Sequence, residues 1–225
     1  MKQIDVQKDI LSSNEATAAE NSTLFSQKGI YVLNLMSSPG AGKTTLLERT
    51  IELLKDTLSL GVIEGDIATS YDADRISAHG VPVTQINTGG ACHLDSSMIK
   101  NALSTFDLDV LDLLIIENVG NLVCPAEFNL GEDAKVMVLS VTEGEDKPLK
   151  YPLMFRLSRA LIINKVDLLP YTNCSLEKII EDATSLNPDL SIFETSCTHM
   201  TGLNAWKAWL EKEIHTKRTQ SSADG

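Results

Sequence analysis

The sequence lacks the features of a membrane or exported protein. No stretch approaches the ~20 consecutive apolar residues that a membrane-spanning helix needs, although 43% of the 225 residues are hydrophobic. The first 22 residues are polar and acidic, without the basic start and apolar run of a secretory signal. We therefore expect a cytoplasmic protein without a membrane partner, with one core, since a single core can serve up to roughly 250 residues.

Basic residues and cysteines are also scarce. The chain has 19 Lys and Arg against 31 Asp and Glu, a formal net charge of -12. A nucleic-acid partner is therefore not expected, because binding a phosphate backbone requires a basic face. The four cysteines are too few for a disulfide framework in a chain of this length, so reduced thiols and metal ligands are the better expectation.

Short runs rich in Ile, Val and Leu recur along the chain, each followed by Gly, Asn or Asp and then by helical periodicity. Such runs are typical of strands buried on both faces of a parallel sheet, and their alternation with helices predicts a three-layer α/β domain with about seven strands. The predicted strands are residues 30–36, 60–64, 83–86, 113–117, 136–141, 161–163 and 190–193, and the predicted helices are 44–59, 95–106, 175–186 and 203–214.

The two ends of the chain differ from its middle in composition. Residues 1–28 contain few apolar residues, and this pattern predicts a flexible or weakly helical segment. Residues 216–225 are polar and are predicted to form a disordered tail. The folded domain is therefore predicted to span residues 29–215.

A phosphate-binding loop follows the first predicted strand. Residues 37–45 read Ser-Ser-Pro-Gly-Ala-Gly-Lys-Thr-Thr, which matches the P-loop pattern with Ser37 in place of its first Gly. The glycines let backbone N–H groups face phosphate oxygens at the start of a helix. Lys43 is predicted to neutralise the β- and γ-phosphates and Thr44 to bind Mg²⁺. The predicted phosphate-binding residues are Gly40, Ala41, Gly42, Lys43, Thr44 and Thr45.

A guanine-binding element follows the sixth predicted strand, where residues 164–167 read Asn-Lys-Val-Asp. The Asp167 carboxylate can accept hydrogen bonds from guanine N1–H and the 2-amino group, which adenine does not offer. Lys165 is predicted to lie along the base and Asn164 to join this loop to the phosphate loop. Ser196 and Cys197 follow the last strand, where a backbone N–H is expected to reach guanine O6. GTP and GDP are therefore the predicted nucleotides.

Two acidic residues at strand ends are candidate Mg²⁺ ligands. Glu117 and Gly120 have the spacing of the Asp-x-x-Gly element of GTPases, with Glu in place of Asp, and Gly120 is expected to contact the γ-phosphate. Asp66 ends the second strand and is the other candidate, together with Thr44. Lys43, Asp66 and Glu117 are the predicted catalytic residues. No residue stands out as the group that positions water, so we expect slow intrinsic hydrolysis.

Two further loops contain a candidate transition-metal site. Cys92 and His93 follow the third predicted strand, and Cys124 lies four residues beyond Gly120. Two thiolates and an imidazole are a soft ligand set that suits Ni²⁺ or Zn²⁺. Adjacent Cys92 and His93 cannot easily bind one ion in regular structure, so we expect water or a second subunit to complete the coordination.

Together these segments resemble the HypB family, the nickel-inserting GTPases of nickel–iron hydrogenase maturation. The most specific segments are residues 34–45, 64–76, 88–94 and 117–132, the last reading ENVGNLVCPAEFNLGE. The resemblance implies a P-loop fold of the signal-recognition and nickel-chaperone class, GTP-promoted homodimers and delivery of nickel. It also implies two partners, a second nickel-binding maturation protein and the hydrogenase large-subunit precursor.

The N-terminal segment departs from some relatives, because it has neither the cysteine motif nor the histidine-rich tract with which they store nickel. Three alternatives remain open at this point. The first is a nickel or cobalt chaperone for another enzyme, such as urease. The second is a GTP-dependent binding module with a structural zinc. The third, a P-loop kinase, is disfavoured by Asp167.

Overall fold

In a computed structural model of the chain, residues 6–66 and 71–223 are described, and this part contains one seven-stranded parallel sheet. The strand order is β3-β2-β4-β1-β5-β6-β7. The sheet confirms the predicted α/β class, and it is parallel throughout rather than mainly parallel. The strands are β1 (Tyr31–Ser37), β2 (Leu60–Asp66), β3 (Val83–Asn87), β4 (Leu113–Glu117), β5 (Ala134–Ser140), β6 (Ala160–Asn164) and β7 (Ser191–Thr195).

Helices cover both faces of the sheet, which makes three layers. Alternate residues of β1 point to opposite faces, as in any strand: Leu33 and Leu35 pack with α2, α3 and α9, whereas Val32 and Met36 pack with helices of the other face. The α-helices are α1 (Val6–Lys28), α2 (Lys43–Leu54), α3 (Tyr71–Ser77), α4 (Ser96–Ala102), α5 (Cys124–Glu127), α6 (Lys147–Lys150), α7 (Pro152–Leu157), α8 (Leu176–Leu186) and α9 (Leu203–Ala223). Within the described residues, no helix combines the length and hydropathy of a membrane span.

The N-terminal segment, predicted as flexible or weakly helical, forms the 23-residue helix α1. Between residues 11 and 28, where side-chain burial is described, the buried residues are Asn14, Ala18, Asn21 and Phe25, which helical spacing places in one stripe. Asn21 Nδ2 donates to the carbonyls of Ser96 (2.9 Å) and Leu130 (3.1 Å). The segment is therefore anchored to the sheet domain by buried hydrogen bonds, and residues 1–5 lie outside the described part.

The prediction of a disordered tail is wrong for residues 216–223, because α9 continues to Ala223. Lys217 Nζ in the extended part lies 2.6 Å from Asp133 Oδ1 and 2.9 Å from Ser26 Oγ. Arg218 forms an ion pair with Asp112. These contacts hold the extension against the domain, which therefore exceeds the predicted limits of 29–215 at both ends.

The predicted site residues share one edge of the sheet. In a parallel sheet all carboxyl ends lie on the same side, and ligands bind there. Strand β1, which leads into the phosphate loop, lies between β4 and β5. Strand β2 pairs with the other edge of β4, so Glu64 lies directly opposite Glu117. The topology thus brings the segments after β1, β2 and β4 together.

We predict that the buried amide of Asn21 contributes measurably to stability. Asn21→Ala leaves two buried carbonyls without this donor, so the free energy of unfolding should fall by about 1–3 kcal/mol. The exposed Thr23→Ala on the same helix, whose hydroxyl bonds only to Ala19 O, should change it by less than about 0.5 kcal/mol. Urea denaturation of both variants measures the difference. Equal effects would show that α1 does not depend on the Asn21 contacts.

Candidate functional site

The phosphate loop has the backbone conformation that its glycines were expected to permit. Gly40 has φ 78° and Gly42 has φ 98°, values in the left-handed region that side chains with a Cβ rarely adopt. A Cβ at Gly42 would also lie 2.6 Å from Asn164 Nδ2. Helix α2 begins at the next residue, Lys43. The loop opens into a cleft of about 550 Å³, a size typical of small-molecule sites.

The predicted guanine loop is bonded to the phosphate loop. Asn164 Nδ2 donates to Ala41 O (3.0 Å), and Lys165 Nζ donates to Gly40 O (2.6 Å). Asn164 Oδ1 in turn accepts from Thr195 Oγ1 at 3.2 Å. Asn164 is almost fully buried, so its amide joins β6, β7 and the phosphate loop in one rigid arrangement.

Only some of the residues that were predicted to bind guanine have polar groups available to the base in this conformation. Asp167 Oδ2 lies 4.0 Å from Nε2 of the exposed His199, a neighbour that the sequence did not suggest. The Ser196 N–H donates to Thr201 O at 3.1 Å, so in this conformation it does not point to a ligand. Burial raises the pKa of the Cys197 thiol to about 11, and the neutral thiol donates to Asn164 Oδ1.

Two buried carboxyl groups lie beside the phosphate loop. Glu117 Oε1 accepts from Thr44 Oγ1 at 2.8 Å and lies 3.7 Å from Lys43 Nζ. Glu64, on the neighbouring strand, is equally buried, with 3% of its surface exposed. Among the residues that the structure describes, the Oε2 atoms of both glutamates have no hydrogen-bond partner. Buried acceptors of this kind are rare and costly, and a bound cation would satisfy them.

Burial is the largest cause of the raised pKa of both carboxyl groups. Burial, followed by the nearby Glu117 carboxylate, raises the pKa of Glu64 to about 8. Burial also raises the pKa of Glu117, against the opposing effects of Lys43 and the Thr44 hydroxyl. The residues fit Mg²⁺, which prefers hard oxygen ligands: Thr44, Glu117 and Asp66 line the same cleft, as does Glu64.

Glu64 was missed in the sequence, although a signal was present. In a strand, residues two apart point to the same face, so Glu64 accompanies Asp66 on the face of the phosphate loop. Arg75 was also missed. Its Nη2 lies 2.6 Å from Glu48 Oε2 and 3.4 Å from Thr45 Oγ1, which places a guanidinium at the wall of the cleft. Residues 67–70, which follow Asp66, lie outside the described part.

The three predicted transition-metal ligands converge. Cys92 Sγ lies 3.0 Å from Cys124 Sγ and 3.6 Å from His93 Nδ1, and all three ligand atoms lie within 4.8 Å of one another. The expectation that Cys92 and His93 cannot easily face one ion does not apply here, because they lie outside helices and strands between β3 and α4. The ring of His93 stacks on Phe128 with centroids 3.8 Å apart, which fixes its orientation.

The protonation states of His93 and Cys124 determine how this cluster could bind a metal ion. Burial lowers the pKa of His93, so the imidazole is neutral and has a lone pair to donate. The pKa of Cys124 is raised, first by its hydrogen bond with Cys92 and then by burial. Binding of a metal ion therefore has to release a thiol proton, which makes affinity rise with pH.

The phosphate loop, the Asn-Lys-x-Asp element and the acidic cluster define the class of P-loop nucleotide-binding proteins, and the Cys–His–Cys cluster adds a candidate transition-metal site. The chain matches the family model "CobW/HypB/UreG, nucleotide-binding domain" over residues 31–194. It is 51% identical over 216 residues to the hydrogenase maturation factor HypB of Azotobacter vinelandii, covering 96% of this chain and 71% of that protein. The chain belongs to the HypB family of hydrogenase maturation factors.

Solved structures agree with this assignment. The crystal structure of HypB from Helicobacter pylori in complex with nickel superposes with a TM-score of 0.87 at 43% identity, covering 92% of this chain and 97% of that chain. HypB from Archaeoglobus fulgidus gives a TM-score of 0.85 at 38% identity, covering 90% and 99%. The signal recognition particle receptor FtsY of Elizabethkingia anophelis, at 16% identity and a TM-score of 0.52 over 73% of this chain and 56% of that chain, shows the shared fold alone.

We predict that Glu64→Gln stabilises the nucleotide-free protein at pH 8. A carboxyl with a raised native pKa destabilises the fold progressively as pH rises from 4.5 to about 8, because the unfolded chain ionises more readily. Removing this charge should raise the free energy of unfolding at pH 8 by about 1–3 kcal/mol. The same variant should bind Mg²⁺ with GDP more weakly in calorimetric titration.

The exposed Glu181 of α8 provides the matched control. Glu181→Gln should leave both the pH dependence of stability and the affinity for Mg²⁺ unchanged. If Glu64→Gln is less stable than the unaltered protein at pH 8 and binds Mg²⁺ equally well, Glu64 is not the strained acid that the cleft suggests.

Proposed function

We propose that the protein is a GTP-hydrolysing metallochaperone that delivers nickel during maturation of nickel–iron hydrogenase. The observation that carries this proposal is the position of the metal site. Cys124 lies four residues beyond Gly120, and a Cβ on Gly120 would lie 3.1 Å from Pro39 of the phosphate loop. One short segment therefore connects the phosphate loop to a metal ligand.

GTP is the proposed nucleotide, and Mg²⁺ its companion. Lys43 and the backbone of the phosphate loop bind and orient the phosphates, while Thr44, Asp66 and Glu117 hold the cation, which neutralises charge on the transferred phosphoryl group. Asp167 selects guanine, because adenine would leave its carboxylate without donors. We infer that Cys197 supplies the backbone N–H for guanine O6, since that of Ser196 is already bonded to Thr201.

Nickel is the proposed cargo, and the ligand set is suited to release. Two thiolates and an imidazole bind Ni²⁺ or Zn²⁺, but three ligands leave a four-coordinate ion incomplete. Cys92 is exposed, so water, a second subunit or a recipient protein has access to the ion. The Helicobacter pylori relative was crystallised in complex with nickel, which supports nickel as the physiological ion.

Nucleotide state is proposed to control both assembly and release. GTP with Mg²⁺ would reposition Asp66, the start of helix α3 and the segment that runs from Glu117 to Cys124, which changes the metal geometry and promotes a homodimer. Hydrolysis would then release nickel. The proposed recipients are a second nickel-binding maturation protein and the hydrogenase large-subunit precursor, in the cytoplasm.

Urease is a second candidate recipient. The relative in Helicobacter hepaticus, 46% identical over 199 residues, is described as a hydrogenase/urease maturation factor. A strain that lacks this protein shows which apo-enzyme accumulates. A structural zinc at a dimer interface is the alternative of another class, and it predicts metal that stays bound through nucleotide turnover.

We predict that Cys92→Ser with Cys124→Ser removes nickel binding from this site. Serine keeps the size of the side chain but is a poor ligand for a soft ion, so nickel affinity should fall at least about tenfold, or 1.4 kcal/mol. Equilibrium dialysis measures the affinity, and hydrogenase activity of a complemented strain measures maturation.

The control is Cys174→Ser, because Cys174 is half-buried beside Thr172. This variant should retain nickel binding and maturation. Unchanged nickel affinity and maturation in the double variant would contradict the proposed function.

We predict that Asp167→Asn changes nucleotide preference from GTP to xanthosine triphosphate. The asparagine NH2 group, which replaces one carboxylate oxygen of Asp167, can donate to the 2-oxo group of xanthine but cannot accept from the 2-amino group of guanine. The ratio of the two affinities should change by at least about 100-fold, since a mismatched polar group in such a site is strongly penalised. Retained preference for GTP would show that Asp167 does not read the base.

A further inference from the structure

Asn118 joins the nucleotide site to the metal site. It directly follows Glu117, and consecutive residues of an extended chain point to opposite sides. Glu117 accordingly faces Thr44 of the phosphate loop. The side chain of Asn118 points the other way, where its Oδ1 accepts from the Leu94 N–H at 3.1 Å. Leu94 is the residue after the metal ligand His93.

The bond to Leu94 is buried and well supported. Asn118 is 1% exposed and Leu94 is fully buried. Asn118 Oδ1 also accepts from its neighbour Val119 N–H at 3.0 Å, and its Nδ2 donates to Asn34 Oδ1 at 3.1 Å. The amide therefore has partners for both ends, which fixes its orientation. A buried amide held in this way is rigid, so displacement of Asn118 also displaces Leu94.

Leu94 lies close to the acidic strand as well. A Cβ on Gly65 would meet Leu94 Cδ1 at 2.7 Å, so the leucine side chain packs directly on the backbone between Glu64 and Asp66. Leu94 thus contacts β2, through Gly65, and the residue directly after β4, Asn118. These two strands carry the candidate Mg²⁺ ligands Asp66 and Glu117. Movement of either strand end is transmitted to the loop of Cys92 and His93.

The other metal loop is held by a second branch of the same network, which begins at Asn34. Asn34 Nδ2 donates to Glu132 Oε1 at 3.2 Å, and Glu132 forms an ion pair with Lys135 at 2.9 Å. Lys135 Nζ donates to the carbonyls of Pro125 (3.1 Å) and Phe128 (2.7 Å). This branch fixes the segment that begins at Cys124, and it does not depend on the bond between Asn118 and Leu94.

The geometry points to Asn118 as the positioning residue that couples nucleotide state to metal affinity, through its hydrogen bond to the Leu94 backbone. This inference rests on the proposed function. A change at Glu117 or Gly120 moves Asn118, and Asn118 moves the loop of Cys92 and His93 relative to Cys124. The distances between the thiols and the imidazole change as a result, and so does the affinity for the ion.

The test compares nickel affinity in the GDP-bound and GTP-analogue-bound states of the unaltered protein and of Asn118→Leu. Leucine has a similar shape but cannot accept the Leu94 N–H. Allosteric couplings are typically about 5- to 150-fold. We expect a ratio of affinities in this range for the unaltered protein and a ratio below about twofold for the variant. By linkage, nickel must change the affinity for the GTP analogue by the same factor, which is the second readout.

Asn34→Leu is the matched control. It removes a buried amide from the same network and leaves the Leu94 N–H bonded to Asn118, so it should lower stability while retaining the coupling. If Asn118→Leu does not fold, Asn118→Ser breaks the same bond with a smaller polar residue.

The outcomes separate the two proposals. No coupling in the unaltered protein overturns nucleotide-controlled release and, with it, the role of Asn118. Coupling in the unaltered protein that persists in folded Asn118→Leu or Asn118→Ser overturns the role of Asn118 alone. Coupling lost equally in Asn34→Leu also overturns it, because the effect would then belong to the whole network.

Discussion

The site depends on two hydrogen bonds made by consecutive residues at the carboxyl end of β4. Glu117 accepts from the Thr44 hydroxyl of the phosphate loop, and Asn118 accepts from the Leu94 N–H beside the metal ligands. The alternation of an extended chain sends these side chains to opposite faces of the sheet. A single strand end therefore contacts both the phosphate loop and the loop of the candidate metal ligands.

The nucleotide site is built at a cost to the stability of the free protein. Glu64 and Glu117 are buried opposite each other, each with an oxygen that finds no partner in the described part of the chain. A hydrophobic pair in these positions would pack without this desolvation penalty. The two acids are consistent with a site that is completed by a cation, in which binding free energy offsets the strain. Buried acids that lower the stability of the free protein are typical of functional sites.

The parts of the molecule that sequence could predict are those with a local signal. The seven strands and the phosphate loop follow from apolar runs and from glycines at 40 and 42. Helix α1 was harder to recognise, because two of the four buried positions described between residues 11 and 28 are asparagines, Asn14 and Asn21, which hide the apolar period. Glu64 and Asn118 were also missed, since their roles depend on partners from other strands. The sequence also did not show that Cys92 and His93 can face one point, because this depends on the irregular conformation of the loop between β3 and α4.

We infer above all that the nucleotide changes the geometry of the metal site. The most direct measurement is the sulfur-to-nickel charge-transfer absorption of the nickel-loaded protein, recorded with GDP and then with a GTP analogue and Mg²⁺. We predict that the band changes in position or intensity, because the thiolates of Cys92 and Cys124 move relative to each other. An identical band in both nucleotide states, with nickel still bound, would contradict the account.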